Sequence, residues 1–303
     1  MRLLVTGGSG FLGGYVLSEA ARRGHEMVAL ARSPAAAAAV TGRGAEPLAG
    51  NLDDAAQLAQ VFTAARCDTL VNLASLGFGH TPAIVAAAGE AGIGRAVVVS
   101  TTAVTTTLAT PSKRVRLAAE QRISASALKW TILRPTMIYG APGDRNLSRL
   151  LTLLRRAPLL PVPGGGRHLQ QPVHVADVAD AVLSAAERPA AAGRTYDVAG
   201  PEPLTFADLL RTAARAVGSR TRFVPVPLPP VLALARGHER LSPQPRIRAE
   251  QLLRLTEDKA FAIDRAAHDL GFCPRPFAVG IQAEAQAMGL APGQSPIVVR
   301  VAP

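Results

Sequence analysis

Residues 6–13 read TGGSGFLG, between the apolar run MRLLV at 1–5 and the alanine-containing stretch that continues to Arg23. The run predicts a strand over MRLLVTG and the stretch a helix over Gly13–Arg23. Gly7, Gly10 and Gly13 then fall, with GxxGxxG spacing, in the turn between them. There the first glycine permits a tight turn and the second leaves room for backbone amides to approach a pyrophosphate. The third lets the helix pack closely on the strand, and the positive helix N-terminus favours phosphate. Ser9, Phe11 and Leu12 share the turn and are candidate cofactor-binding residues with the three glycines.

Outward from this turn, strand-like runs alternate with helical stretches. HEMVALAR, AEPLAGN, DTLVNLAS, RAVVVSTT and KWTILRP read as strands. Stretches near 35–42, Pro82–Ala91 and Lys113–Ala125 read as helices. This alternation predicts an α/β fold, a doubly wound parallel sheet built from βαβ units. After Pro135 the rhythm changes. Proline and glycine gather in YGAPGDRN, RAPLLPVPGGGRH, AGPEPLT and VPVPLPP, which read as loops between helices at 146–156, 177–187 and 205–217. The expected organisation is a dinucleotide-binding domain over 1–140, with 168–200 returning to it. Residues 141–167 and 201–303 form a smaller substrate lobe, and the crevice between the two is the expected ligand site.

The 303 residues carry 33 Lys and Arg against 22 Asp and Glu, a net charge of +11. Only Lys113, Lys129 and Lys259 are lysines, the arginines are scattered and aromatics are 4%, so no basic run interleaved with stacking side chains suggests nucleic acid. No apolar span approaches twenty residues, and the N-terminal run is too short for a signal peptide. The expectation is a cytoplasmic protein with neither a membrane nor a nucleic-acid partner, working on a small-molecule substrate as a monomer or homodimer. Cys67 and Cys273 lie far apart without a CxxC, and no His pair has metal spacing, so inert thiols and no metal are expected.

TGxxGxxG near the N-terminus resembles the short-chain dehydrogenase/reductase superfamily, in its extended and atypical, epimerase/dehydratase-like branches. Gly50-Asn51-Leu52-Asp53 resembles the GDL segment after the third strand, with Asn51 where an adenine-facing aspartate is usual. Leu73-Ala74 matches the small residues beneath the adenine ribose, and WTILRPTMIYG (130–140) with QPVHVADVADAV (171–182) extends the likeness over most of the chain. The resemblance implies a Rossmann-like fold and an NAD(P) cofactor contacted by Asn51, Leu52, Leu73, Ala74 and Pro135. At the end of the second strand, where an acidic residue would bind the ribose of NAD, this chain has Arg32. A guanidinium there forms a forked pair with a 2′-phosphate, which favours NADP(H) over NAD(H); the bland alternative is a solvated strand-end arginine.

One departure from the family decides the chemistry. The superfamily's YxxxK pair belongs on the helix after the fifth strand, yet PSKRVRLAAE (111–120) has no tyrosine. With Glu120 as anchor, Arg116 takes the lysine position and Ser112 the tyrosine position; with Lys113 as the lysine, Ala109 falls at the tyrosine. A serine is a far poorer proton donor than a phenol poised by a cation. The cations still have a use: Arg116 to hold the cofactor ribose, and Lys113, one turn earlier, to hold substrate, unless both are solvated helix charges.

Candidate catalytic groups are Ser100 and Thr101 at the end of the fifth strand, and Tyr139. Thr102, Arg145, Asn146, Gln171 and His174 are candidate substrate contacts, with Asp177 read as a helix-start residue. The strand-end hydroxyls can equally cap the following loop, and Tyr139 and His174 can equally be structural. The expected activity is that of an NAD(P)-dependent oxidoreductase or epimerase/dehydratase-like enzyme acting on a small polar substrate such as a nucleotide sugar. The alternative is a non-catalytic NAD(P)-binding redox sensor or structural accessory protein.

Overall fold

The structure, a computed structural model, describes residues 1–108, 110–140, 144, 146–241 and 249–292, apart from the side chains of Leu241 and Gln251. Ala109 and the candidate substrate residue Arg145 lie outside the described residues.

In chain order the elements begin β1 (Arg2–Thr6), α1 (Phe11–Arg22), β2 (Glu26–Ala31), α2 (Pro34–Thr41), β3 (Glu46–Ala49), α3 (Ala55–Ala65), β4 (Thr69–Asn72), α4 (Thr81–Glu90), β5 (Arg95–Val99), α5 (Pro111–Ser124) and β6 (Lys129–Pro135). They continue with β7 (Ile138–Tyr139), α6 (Leu147–Leu154), β8 (Leu159–Pro163), β9 (Leu169–Gln170), β10 (Val173–His174), α7 (Val175–Glu187), β11 (Arg194–Val198) and β12 (Leu204–Thr205). Last come α8 (Phe206–Ala216), β13 (Arg222–Val226), α9 (Leu228–Leu241), α10 (Ala249–Arg254), α11 (Asp264–Leu270) and α12 (Phe277–Ala287).

The contacts divide the chain into two units. The first comprises 1–136, 175–199 and 262–274. Its seven-stranded sheet runs β3-β2-β1-β4-β5-β6-β11, with every neighbouring pair parallel. The strands are apolar because helices cover both faces: Leu3, Leu4, Val5, Ala96 and Val97 are wholly buried. One face packs α3, α4 and α5 around Phe62, Leu70, Ile84, Val98 and Ile123. On the other, α1 packs against α7. The strand order reverses between β1 and β4, so the loops leaving their C-terminal ends diverge and open a ligand crevice.

The second unit comprises 137–174, 200–261 and 275 onward. Its core joins α6, α8 and α12 around Leu151, Leu209, Ala213 and Ile281. Three two-stranded ladders, β7 with β10, β9 with β12 and β8 with β13, complete it.

Three sequence expectations change here. LLPVP (159–163) and RFVPV (222–226) pair as parallel strands rather than loops. A proline removes one donor but leaves its carbonyl, and a two-stranded ladder leaves each strand one open edge. Residues 55–65, between the third and fourth strands, form the helix α3, which Asp54 starts by accepting the Gln57 amide. Finally, 262–274 belongs with the first unit and not the smaller lobe. There α11 packs on α7 and β11, and the Asp269 carboxylate accepts from Tyr196 Oη and Arg194 Nη1, each at 2.9 Å. Among the described residues, no helix is long and apolar enough to cross a membrane.

Candidate functional site

The turn after β1 is shaped by what its glycines exclude. Gly7 has φ +73°, and a Cβ there would stand 2.9 Å from the Ala74 backbone nitrogen. A Cβ on Gly13 would stand 2.2 Å from the Gly7 oxygen. Gly10 differs, because a Cβ there would meet only the Gly7 oxygen at 3.2 Å. Gly7 and Gly13 are therefore required by the protein's own packing, whereas the space beside Gly10 is open. Ser9 and Gly10 are exposed and Phe11 and Leu12 half-buried, so the first amides of α1 border that space. The Thr6 hydroxyl donates to Asn72 Oδ1 at 2.6 Å, and the Leu73 amide donates to the Thr6 carbonyl. These bonds clamp β1 to β4 and hold Leu73-Ala74 against the glycine turn.

At the end of β2, exposed Arg32 borders a groove of about 610 Å³ with Ser33, Gly50, Asn51, Asp54 and Gln57. Asn51 Oδ1 accepts the Asp53 amide, which shapes the turn, and Leu52 packs into the core beneath. Two carboxylates share this neighbourhood. Asp54 lines the groove, and Asp53, bonded to His80 at 2.8 Å, is held below the ordinary carboxylate range chiefly by that bond, with Arg32 adding a smaller pull. Both stand directly after Asn51-Leu52 in the chain, about twenty residues beyond the strand end that carries Arg32.

The three strand-end hydroxyls separate by environment. Thr101 Oγ1 accepts the Ala103 amide and caps the following turn. Thr102 is buried and its hydroxyl donates to the Pro135 carbonyl at 3.4 Å, so it braces β6 instead of facing substrate. Ser100 is different: its Oγ is buried and without a hydrogen-bond partner among the described residues. Pro135 itself is buried at the end of β6.

On α5, Thr110 caps the helix and shares a hydrogen bond with the Ser112 hydroxyl at 3.3 Å. Lys113 Nζ donates to the Thr106 carbonyl, which ties this cation to the preceding loop. The Arg116 guanidinium lies over the turn after β4, where a Cβ on Gly77 would stand 3.2 Å from Nη2. One turn on, buried Glu120 receives the Arg134 guanidinium in a fork at 3.1 and 2.5 Å. Arg134 pairs in register with Asp197 on β11, whose carboxyl burial pushes up against the pull of that arginine. The Glu120–Arg134 pair seats α5 on β6; no spacing in the sequence announces it.

The remaining candidates differ in how far packing and hydrogen bonds engage them. Tyr139 is wholly buried, its ring edge-on to His174 at 5.4 Å and to Phe277 at 5.2 Å, and its hydroxyl lies where a Cβ on Gly280 would be 2.2 Å away. The phenol is thus enclosed in the core of the second unit. His174 is 6% exposed and stands against Gly140, where it packs this core. Gln171 Nε2 donates to the carbonyls of Gly200 at 2.7 Å and Phe261 at 3.2 Å, while Oε1 accepts the Phe261 amide at 2.7 Å. It staples three chain segments, with both amide N–H groups donated to backbone carbonyls. Asn146 is exposed and its side chain makes no cap bond to α6. Asp177 lies buried in the first turn of α7.

A reversing parallel sheet with a glycine turn at its switch point and an open helix N-terminus defines a dinucleotide-binding protein of the doubly wound class. Residues 7–189 match the NAD(P)H-binding family, and the chain belongs to it, in the atypical short-chain, epimerase-like branch. The chain is 30% identical to a 4-hydroxy-2-methyl-3-oxo-4-farnesyl-3,4-dihydroquinoline-1-oxide ketoreductase of Stigmatella aurantiaca, over 91% of this chain and 92% of that protein. It is 28% identical to a 2-alkyl-3-oxoalkanoate reductase of Stenotrophomonas maltophilia, over 91% and 95%. In fold it matches a UDP-glucose 4-epimerase from Thermotoga maritima with a TM-score of 0.73 at 16% identity, over 95% of this chain and 98% of that one.

Proposed function

We propose that this chain is an NAD(P)H-dependent ketoreductase whose substrate carbonyl is received by Ser100. The observation that carries this reading is the Ser100 hydroxyl, buried and unpartnered at the carboxyl end of β5. A buried hydroxyl without a partner forgoes a hydrogen bond worth about 1 kcal/mol, a loss that a carbonyl or alkoxide oxygen would offset. NAD(P)H, when bound, would supply the hydride. The chain's own residues do the rest: the α1 amides and the space beside Gly10 accept the pyrophosphate, Arg116 holds the ribose, and Ser100 donates to the carbonyl oxygen as it gains charge. Arg116 stays charged at any working pH and anchors without donating a proton. With Tyr139 enclosed and Ser112 bonded to Thr110, the proton reaches the alkoxide from water through Ser100.

Two curated relatives that span nine-tenths of this chain are named as reductases of oxo compounds carrying farnesyl or alkyl groups. This favours ketone reduction over nucleotide-sugar epimerisation, and a substrate with an apolar portion over the small polar one expected from sequence. NADP(H) is the preferred cofactor in this reading, although Asp53 and Asp54 offset part of the Arg32 charge. The second reading, a cofactor-binding protein without turnover, is favoured by the absence of any tyrosine on α5.

Turnover of NADPH with 3-oxoacyl and 2-alkyl-3-oxoalkanoate ketones is the direct test. Ser100→Ala should lower kcat by about 100-fold, the usual effect of losing one donor to a developing oxyanion, with cofactor affinity unchanged. Cofactor binding without turnover on any ketone of that series would favour the second reading. Full turnover in Ser100→Ala would overturn the role of the serine.

A further inference from the structure

Glu284 is the one ionisable residue of α12, and it is completely buried. Neither carboxyl oxygen makes a well-formed hydrogen bond among the described residues. Its polar neighbours are the Asp144 carboxyl, itself 4% exposed, and the Gly140 backbone amide. Asp144 has what Glu284 lacks: its carboxylate accepts the amides of Asn146 at 2.5 Å, Leu147 at 3.1 Å and Ser148 at 3.2 Å, capping α6. Its carbonyl also accepts the Ser148 hydroxyl. Two adjoining carboxyls this far from water are costly to charge together, and Glu284 has no comparable set of amide donors.

We propose that Glu284 and Asp144 share one proton, held by Glu284, and that its loss in alkaline solution releases the Asp144 cap and loosens the start of α6. Burial first, then the Asp144 carboxyl, pushes the Glu284 carboxyl up to about 9, while the Gly140 amide pulls the other way. Among the described residues, no compensating cation faces it. The elements packed on α12 are α6, α8 and β10. Arg149 of α6 and Asp208, Arg211 and Arg215 of α8 are exposed, and the titratable groups remaining nearby, His174 and Tyr139, stack on each other. The inference concerns the second unit alone and does not depend on the proposed ketoreductase activity.

The sign follows from proton linkage. The folded chain binds a proton at Glu284 that the unfolded chain releases above the ordinary value of 4.5, so this stability is complete below that pH and is lost as pH rises through about 9. Glu284→Gln keeps the shape and a donor toward Asp144 but cannot ionise. Its melting temperature should equal that of wild type near pH 4.5 and exceed it by a margin that widens up to pH 9, then levels. Hydrogen-exchange protection of the Asn146, Leu147 and Ser148 amides, corrected for intrinsic rates, should fall at least tenfold in wild type between pH 8 and pH 10 and hold in the variant. Parallel melting curves over that range, or protection falling equally in both proteins, would overturn the proposal. Should the variant not fold, the wild-type infrared band of protonated carboxyl decides alone. It should persist at pH 8 and vanish near pH 9, whereas its disappearance together with the surface carboxyls refutes the shared proton.

Discussion

The turn after β1 and the amino end of α5, which the proposed reading assigns to one cofactor, are built on opposite terms. The glycine turn is defined by backbone: a Cβ added at Gly7 or Gly13 would stand within 2.2–3.0 Å of main-chain atoms. The α5 end is defined by side chains, with Lys113 tied to a loop carbonyl, Arg116 over the turn after β4 and Glu120 forked to Arg134. Backbone solutions tolerate no substitution and so leave a readable signature. Side-chain solutions can be exchanged, which is how a tyrosine can be missing from α5 while the cradle is intact.

The contrast is broken most severely if Gly13 can be replaced. Gly13→Val should cost more than about 4 kcal/mol and leave little folded protein, because its side chain would enter the Gly7 and Gly8 carbonyls; circular dichroism melts read this directly. Gly10→Val, next to open space, should keep a melting temperature within a few degrees of wild type and still lose at least 100-fold in NADPH affinity by calorimetry. If the two variants behave alike, the division between packing glycine and ligand glycine is wrong.

Smaller effects sharpen the α5 side. Arg116→Ala should weaken NADPH binding by about 1.5–3 kcal/mol, the usual worth of a hydrogen bond to a charged group. Ser112→Ala should change neither binding nor turnover, since its hydroxyl serves Thr110. A hundredfold fall in turnover for Ser112→Ala would restore the serine to the place of the tyrosine. Arg32→Ala is expected to weaken NADPH by about 1–2 kcal/mol with NADH nearly unaffected, less than an isolated arginine would give because Asp53 and Asp54 stand nearby. Equal NADPH and NADH affinities in the wild-type protein would remove Arg32 from cofactor choice.

Strands β1 to β6 and the glycine turn were legible because each depends on local pattern: an apolar run buried on both faces, and glycine where no side chain fits. The engagement of Tyr139 and Gln171 by distant segments was not. Tyr139 lies one residue before Gly140, and Phe277, more than a hundred residues away, packs against its ring. Gln171 looked free until Gly200 and Phe261 came to its amide. In the same way, β8 and β13 looked like proline-rich loops because a strand's partner is not written within the strand.

By itself, then, the sequence determined the βαβ alternation, the cradle between β1 and α1 and the want of a phenol on α5, all consequences of neighbours within a few positions. Tertiary structure alone decided which hydroxyl of Ser100, Thr101 and Thr102 stays unpartnered, which cations are already bound and which carboxyl, Glu284, is buried beside another. Those properties depend on desolvation and on hydrogen-bond competition between segments far apart in the chain, and neither exists until the segments meet.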